Sequence, residues 1–259
     1  MSLPYTSRTN SGFEPAWFLH KLERDRSPGS ELGQSVLMPL LESCLNVILP
    51  TPCVFCGKRG APVCRLCGGA VTFQLRETSR DFLHGWTVTD YGDSEKLLLK
   101  AFKEHELTAL SGYLGRLLAP ALREIANGLL APHPDQTVTL VPIPSSRANY
   151  VKRGFTPAKL LAAHANRLAG RPLVVRSLLR FSRVVDDQSK LNIEQRRANL
   201  AGSMTANRAP SGIRVLLFDD VVTTGATLLE AARALTEAGA EVLGFVTFSE
   251  TLLKTHTKS

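Results

Sequence analysis

The sequence contains no hydrophobic run long enough to cross a lipid bilayer. Its longest apolar stretch near the N-terminus, residues 36–49, is interrupted by Glu42 and Asn46, and it is shorter than the roughly 20 residues that a membrane-spanning helix needs. Residues 1–35 mix acidic and basic side chains and lack the apolar core of a secretory signal. We therefore expect a chain that is not exported and that has a cytoplasmic location.

Cysteine is scarce outside one short segment. The chain has 5 cysteines, and all but Cys44 fall within residues 53–67. A disulfide framework would need cysteines spread through the chain, so this clustering indicates a metal site.

Neither the charge nor the composition marks an unusual class of protein. Hydrophobic residues make up 44% and charged residues 21% of the 259 residues, as in an ordinary globular protein. The net charge is +8 and the isoelectric point is about 9.5. This modest positive surplus suits a phosphorylated ligand or nucleic acid without selecting between them.

Three regions of the chain differ in composition. Residues 1–35 form a polar arm, residues 36–72 combine an apolar helix over residues 38–49 with the cysteine segment, and residues 84–250 alternate β-rich runs with helical patterns. This alternation predicts an α/β domain with a mostly parallel sheet flanked by helices. The runs are residues 86–91, 95–102, 107–118, 137–143, 157–169, 213–218, 228–238 and 241–248.

Two of these runs, residues 138–141 and 215–218, are apolar on both faces, which is typical of central strands covered by helices on both sides. In open α/β sheets the ligand binds beyond the carboxyl ends of the strands. We therefore expect the functional site just after residues 143 and 218.

The most informative motif is VLLFDDVVTTGAT at residues 215–227, where Asp219 and Asp220 follow a strand and a Thr/Gly loop enters a helix. Unpaired N–H groups at a helix start bind anions, threonine hydroxyls add donors, and Gly225 lets the backbone approach a phosphate closely. Two carboxylates beside a phosphate would repel it unless they face sugar hydroxyls or a divalent cation. The motif therefore predicts a sugar-phosphate ligand, and the alternative is an ordinary turn with solvated carboxylates. The loop G-x-x-x-x-G-K-[ST] of nucleotide triphosphatases is absent.

The cysteine segment has two C-x-x-C pairs separated by seven residues. Its four members are Cys53, Cys56, Cys64 and Cys67. Four thiolates are the tetrahedral set that Zn²⁺ prefers in structural sites, so we predict structural zinc. An iron–sulfur cluster and a redox-active pair are the alternatives. Cys44 lies in the apolar helix, where a buried packing role is expected.

The motif at residues 215–227 resembles the signature of the type I phosphoribosyltransferases, and the cysteine module that precedes it resembles that of the ComF family of competence-related and GntX-like proteins. Residues 140–147 with KRGF at 152–155, and the R-x4-Q-x2-L-x4-R-x2-N pattern of residues 183–199, also resemble ComF segments. The resemblance covers residues 37–248. It departs at Thr156 and Pro157, where ComF members commonly have Asn-Gln.

The resemblance implies a type I phosphoribosyltransferase fold and a ligand, phosphoribosyl pyrophosphate, bound with Mg²⁺. Transfer of the phosphoribosyl group to an acceptor is the implied reaction, but the sequence identifies no acceptor and leaves open whether the chain is an enzyme. Asp219 and Asp220 take the catalytic position, in which they hold the ribose hydroxyls. The implied substrate-binding residues are Ser145, Ser146, Arg147, Arg153, Lys190, Thr223, Thr224, Gly225, Ala226 and Thr227. A solvated basic loop is the alternative for residues 147–153. For residues 182–192 the resemblance implies a mobile loop that closes over the site and excludes water, and a plain linker is the alternative.

A second hypothesis is a non-catalytic protein that binds single-stranded DNA during DNA uptake, as membership of a competence family implies. Lys96, Lys100 and Lys103 are spaced along one face of the predicted helix at residues 95–102 and just beyond it. We expect either a solvated helix face or a basic strip for a nucleic-acid backbone. In both cases we expect the three lysines to lie apart from the sugar-phosphate site.

Overall fold

The computed structural model describes residues 51–104, 107–132, 135–185, 193–207 and 212–251. The predicted arm over residues 1–35, the helix over residues 38–49, Cys44 and Lys190 lie outside these described residues, so those four predictions are not tested. The boundaries of the three predicted regions also stay predictions.

The strands in the described residues are β1 (Arg76–Arg80), β2 (Leu83–Asp90), β3 (Val138–Pro142), β4 (Val174–Val175), β5 (Leu179–Phe181), β6 (Met204–Ala206), β7 (Arg214–Val222) and β8 (Glu241–Glu250). The helices are α1 (Asp93–Glu104), α2 (Leu110–Leu130), α3 (Arg147–Arg153), α4 (Pro157–Leu168), α5 (Ile193–Leu200) and α6 (Ala226–Glu237), and a 3-10 turn spans Arg65–Cys67.

Six strands form one sheet in the order β1-β2-β8-β7-β3-β4. All neighbours pair in parallel except β1 and β2, which form an antiparallel hairpin. Strands β5 and β6 form a separate antiparallel pair. The predicted mostly parallel sheet flanked by helices is confirmed.

Helices cover both faces of this sheet. One buried cluster joins α1, α2 and α4 to residues such as Leu216 and Phe218, and a second cluster joins α6 to residues such as Val215 and Leu217. Because β3 and β7 bury both of their faces, they lie at the centre of the sheet as predicted.

Two elements are longer than their sequence patterns predict. Helix α2 continues to Leu130 through Pro120, because the exposed proline lies on the solvent side while Leu118, Ala121 and Leu122 keep the inner face buried. Strand β7 continues through the acidic pair to Val222, because these residues also pair with β8.

The topology brings two turns that are distant in sequence to one edge of the sheet. Strands β3 and β7 pair in parallel, with Pro142 opposite Phe218, and the Ile143 N–H donates to the Phe218 carbonyl at 2.9 Å. The turns that follow Ile143 and Val222 therefore lie side by side. Among the described helices, none combines the length and the hydropathy needed to span a membrane.

Candidate functional site

Two adjacent carboxylates lie at the carboxyl end of β7. Asp220 is buried, with 5% of its surface exposed, whereas Asp219 is partly exposed. The Asp220 N–H donates to Asp219 Oδ1 at 2.8 Å, which fixes the Asp219 side chain beside the strand. This arrangement is not that of two solvated carboxylates on an ordinary turn.

Lys103, in the last turn of α1, reaches this pair. Its Nζ donates to Asp220 Oδ1 at 2.7 Å. Burial by itself lowers the pKa of Lys103, but the negative charges of Asp220 and Asp219 outweigh burial and raise that pKa. Lys103 is therefore a charged ammonium group inside the site at neutral pH.

The environment of Asp219 favours its protonated form. Burial, followed by the charge of Asp220, raises the pKa of Asp219 to about 8, and Lys103 only partly opposes this increase. Without a ligand, the pair therefore carries less than two negative charges near neutral pH. A ligand that donates hydrogen bonds or brings positive charge would favour the fully ionised pair.

A cavity of about 450 Å³ lies between the turn after β3 and the acidic pair. It brings together these sequence-predicted residues: Ser145, Ser146, Arg153, Asp219, Asp220 and Thr227. Lys103, Asn149 and Phe181 also line it, and none of them was assigned to this site from the sequence. The Arg153 Nε is buried and has no hydrogen-bond partner among the described residues, so a ligand oxygen would satisfy this donor.

The remaining residues of the motif line a recess of about 30 Å³ at the start of α6. These are Thr223, Thr224, Gly225 and Ala226, with Thr227 shared between the recess and the cavity. Helix α6 begins at Ala226, so its first N–H groups lack partners within the helix and its positive dipole end favours an anion.

Gly225 lies against the Arg80 side chain, whereas the sequence predicts a phosphate beside it. Its φ is +79°, which favours glycine, and an added Cβ would lie 2.5 Å from Cβ of Arg80. The turn therefore packs directly on the Arg80 side chain. A substitution at Gly225 would disturb this packing whether or not a ligand is bound.

Arg147 does not line the 450 Å³ cavity. It lies in an adjoining groove of about 800 Å³ with Tyr150 and Arg180. All three side chains are exposed. The Ser146 Oγ accepts a hydrogen bond from the Asn149 N–H at 3.3 Å and so caps α3. Ser146 thus positions the start of this basic helix at the entrance to the cavity.

The predicted three-lysine strip is wrong in one member. Lys96 and Lys100 are exposed on α1, but Lys103 is only partly exposed and is paired with Asp220. The lysine spacing correctly predicted a shared helix side, whereas the end of that helix lies over the carboxyl end of β7. Lys103 therefore belongs to the candidate site, and the expectation that all three lysines lie apart from it is overturned.

The cysteine module forms a second candidate centre. The Sγ atoms of Cys53, Cys56, Cys64 and Cys67 all lie within 4.8 Å of one another, so they could hold a metal ion. Burial by itself raises the pKa of Cys53, but backbone N–H groups, led by that of Cys64, together outweigh burial and lower this pKa to about 6. The neighbouring Cys64 side chain raises the pKa of Cys67 to about 12. A bound cation would displace the protons of these thiols.

Comparison with protein families shows to which family the chain belongs. A family described as the phosphoribosyl transferase domain matches residues 119–257. The chain belongs to this family. The match includes the acidic pair, the Thr/Gly turn and the turn after β3, which are the elements that build the cavity of this phosphoribosyl transferase domain.

Curated relatives carry names related to competence and DNA use. Competence protein ComFC of Bacillus subtilis is 38% identical over 107 residues, 41% of this chain and 42% of that protein. DNA utilization protein YhgH of Salmonella typhi is 29% identical over 154 residues, 60% of this chain and 66% of that protein. Competence protein F of Haemophilus influenzae is 27% identical over 207 residues, 78% of this chain and 86% of that protein. The predicted ComF resemblance is confirmed, and the chain spans less than half the length of ComFC.

Among solved structures, adenine phosphoribosyltransferase from Leishmania tarentolae is 17% identical, with a TM-score of 0.34, over 68% of this chain and 94% of that protein.

Proposed function

We propose that this phosphoribosyl transferase domain binds phosphoribosyl pyrophosphate with Mg²⁺ in the 450 Å³ cavity and the adjoining recess, and that it transfers the phosphoribosyl group to an acceptor. The observation that carries the proposal is the convergence of two unlike groups at one sheet edge. Two adjacent carboxylates, one of them buried, lie beside a helix N-terminus suited to an anion. A sugar phosphate matches both features with one molecule.

Each part of the ligand has a chemically suitable partner. The Asp219 and Asp220 carboxylates accept hydrogen bonds from ribose hydroxyls, and the 223–227 turn receives the 5′-phosphate. Arg153, Ser145 and Ser146 line the far side of the cavity, where they donate to the pyrophosphate. Lys190, outside the described residues, stays a predicted contact.

The donors present fit Mg²⁺. This cation prefers one or two carboxylates together with phosphate oxygens of the substrate. Asp220 Oδ1 is already occupied by Lys103, so the Asp219 carboxylate is the better placed protein ligand. When bound, Mg²⁺ would supply positive charge to the departing pyrophosphate.

The side chains stabilise charge in this reaction. As the bond between the anomeric carbon and pyrophosphate breaks, the sugar becomes positively charged and the leaving group carries the electron pair. Lys103 and Arg153 place two cations around the cavity, and preorganised charges of this kind lower the barrier. The acidic pair holds the ribose in position meanwhile.

Isothermal titration calorimetry of the full chain with phosphoribosyl pyrophosphate tests the proposal. We expect Mg²⁺-dependent binding by the wild type, and at least about tenfold weaker binding by the Asp219→Asn/Asp220→Asn double variant, since it loses charge-assisted hydrogen bonds. Asp135→Asn is the control, because Asp135 is exposed and precedes β3 at the opposite end of the strands. Equal affinities of the double variant and the wild type would remove the acidic pair from the site.

We also propose that the metal held by the four cysteines is zinc, with a structural role. Four thiolates and the absence of any open ligand position in the set support zinc over a catalytic metal. One zinc per chain by elemental analysis is the expected result. Iron with sulfide would reject the assignment. A cytoplasmic location stays a prediction.

Single-stranded DNA binding is the second candidate function. The names of the relatives favour it, and so does the 800 Å³ groove, which is lined by the exposed residues Arg147, Tyr150 and Arg180. Cationic and aromatic side chains together suit a single-stranded backbone with stacked bases.

Fluorescence anisotropy at several salt concentrations should show weaker binding of single-stranded DNA and a smaller salt dependence for Arg147→Glu/Arg180→Glu. Arg116→Glu on the exposed side of α2 is the control, and no binding by the wild type at low salt rejects this candidate.

A further inference from the structure

A buried arginine lies behind the recess at the start of α6. Arg80 is the last residue of the edge strand β1, and only 5% of its surface is exposed. A buried guanidinium is tolerated only when its charge and its donors are satisfied. The groups that contact the Arg80 guanidinium therefore indicate its role.

Two of the three guanidinium nitrogens of Arg80 donate hydrogen bonds, and the third, Nη2, is held by an ion pair without a hydrogen bond. The Nε donates to the Thr223 carbonyl at 2.8 Å. The Nη1 donates to the Ser79 carbonyl at 2.8 Å and to Thr78 Oγ1 at 3.1 Å. The Nη2 lies 2.6 Å from Oε1 of Glu250, the last residue of β8.

Glu250 makes this burial possible. It is itself 8% exposed, and its Oε1 also accepts a hydrogen bond from Thr78 Oγ1 at 2.7 Å. Glu250 lies opposite Val222 in the pairing of β8 with β7. The Arg80–Glu250 pair therefore links β1 and β8 to the point where β7 gives way to the turn.

The turn is held by Arg80 in two ways. The guanidinium takes the Thr223 carbonyl, and Gly225 packs against the aliphatic part of the same side chain, since an added Cβ would lie 2.5 Å from Arg80 Cβ and 2.6 Å from Cγ. Arg80 does not line the recess, which Thr223, Thr224 and Gly225 do. It contacts the turn from behind.

The contact with the carbonyl also sets the direction of an N–H group. The peptide bond between Thr223 and Thr224 is trans, so its carbonyl and its N–H point in opposite directions. Because the carbonyl faces Arg80, the Thr224 N–H points away from Arg80. An arginine behind the turn thereby selects the peptide orientation that leaves an N–H donor for an anion.

We infer that Arg80, paired with Glu250, is a positioning residue that orders the 223–225 turn for recognition of a terminal phosphate on the sugar. This inference rests on the proposed function, and it separates the two ends of the ligand. The sugar's 5′-phosphate depends on Arg80, whereas pyrophosphate, bound across the cavity by Arg153, Ser145 and Ser146, does not.

The test compares two partial ligands, ribose 5-phosphate and magnesium pyrophosphate, by calorimetry on the full chain. Arg80→Lys keeps the charge facing Glu250 but loses the Nε donor to Thr223. We expect it to weaken ribose 5-phosphate binding at least about tenfold, as the loss of a charge-assisted hydrogen bond would, and to change pyrophosphate binding less than about twofold. Arg76→Lys on the same strand, paired with Asp90 at the surface, is the matched control and should bind both ligands as the wild type does.

A second variant and a second measurement distinguish the proposed role of Arg80 from a general loss of folding. Arg80→Gln/Glu250→Gln leaves no buried charge unpaired and removes the same donor, so it should show the same selective loss. Hydrogen–deuterium exchange of the unliganded chain should rise at residues 223–226 in both variants while β2 stays protected. Equal weakening of both ligands, or unchanged ribose 5-phosphate binding, overturns the inference alone. A wild type that binds neither ligand overturns the proposed function and the phosphate role together.

Discussion

Lys103 and Asp220 are 117 residues apart in sequence, and their side chains meet in the site. The spacing of Lys96, Lys100 and Lys103 predicts that they lie on one side of a helix, because the helical period fixes relative directions. The helical period does not indicate which residues this side of the helix contacts. Only the packing of α1 over the carboxyl end of β7 gives Lys103 a partner that Lys96 and Lys100 lack, and no local signal in the sequence marks it.

Removing the Lys103 ammonium should weaken the proposed ligand selectively. In Lys103→Met, Asp220 stays buried but loses its ion-pair partner, so both carboxylates repel an anionic ligand more strongly. We expect the affinity for phosphoribosyl pyrophosphate to fall about tenfold, which is about 1.4 kcal/mol. Calorimetry at constant ionic strength measures this change.

Lys100→Met is the control for that prediction. Lys100 lies on the same helix one turn earlier, and it is exposed. Its substitution should leave the affinity for phosphoribosyl pyrophosphate unchanged. If Lys100→Met and Lys103→Met weakened binding equally, the effect would come from the general charge of α1 and the specific ion pair would have no role.

The antiparallel pair of β5 and β6 is hydrogen-bonded to α6 through the buried Glu230. Glu230 accepts hydrogen bonds from the Met204 N–H at 2.8 Å and the Gly202 N–H at 3.1 Å. Arg233 donates to the same carboxylate at 2.7 Å and to the Met204 carbonyl at 2.9 Å. Since Phe181 of β5 lines the cavity, Glu230 connects the helix behind the recess with the opposite wall of the site.

Glu230→Gln should destabilise the protein and loosen the attachment of the β5–β6 pair to α6. The amide keeps one acceptor oxygen but turns its NH₂ group toward a donor, so a buried N–H loses its partner, at a cost of about 1–3 kcal/mol. Urea unfolding at pH 7 measures the difference. Glu237→Gln is the control, because Glu237 pairs with the same Arg233 at the surface, where ion pairs contribute less than about 1 kcal/mol.

The effect of Glu230→Gln should depend on pH. Burial raises the pKa of Glu230, but the hydrogen bonds from Arg233, Met204 and Gly202 outweigh burial and lower this pKa below 4.5. A lowered carboxyl pKa gives stability that is fully present above the ordinary pKa and is lost as the pH falls through the folded-state value. The stability difference between wild type and variant should therefore be constant above about pH 5 and shrink in more acidic solution. A constant difference down to pH 2.5 would contradict this assignment.

Elements with a clear hydrophobic period are predictable from the sequence, and elements formed by long-range pairing are not. The core of β7 and most of α4 follow from apolar patterns. Strand β1 reads Arg-Glu-Thr-Ser-Arg and carries no such pattern, so its pairing with β2 and the burial of Arg80 arise from the assembled fold. The predicted site is incomplete for the same reason, because Lys103, which lines the cavity, and Arg80, which lies behind the turn, belong to elements whose sequences contain no ligand-binding motif.

At the scale of the whole molecule, the cysteine module is packed on the α/β core. Val71 belongs to the buried cluster, Val54 and Phe55 pack against it, and the Tyr113 hydroxyl donates to the Gly68 carbonyl at 2.9 Å. Loosening the module therefore uncovers apolar surface of the main domain. We expect metal loss to destabilise the protein beyond residues 51–72.

Metal removal should lower the stability of the entire chain. Treatment with a strong chelator should reduce the melting temperature by several degrees, since a loss of even about 1 kcal/mol shifts it by about 2–4 °C in a chain of this size. Re-addition of zinc should restore it, and Cys56→Ser should reproduce the chelated state. A melting temperature that is unchanged after the metal is shown to be lost would mean that the core does not depend on the module.

The order of the strands also bears on how the protein avoids self-association. Edge strands expose unpaired backbone groups that recruit further strands, and proteins protect them with charge or shortness. Among the described residues, one edge of the six-stranded sheet, β1, carries the charged side chains of Arg76 and Glu77, and the other edge, β4, is only two residues long. Both of these edges are therefore poor templates for the addition of a strand from another copy.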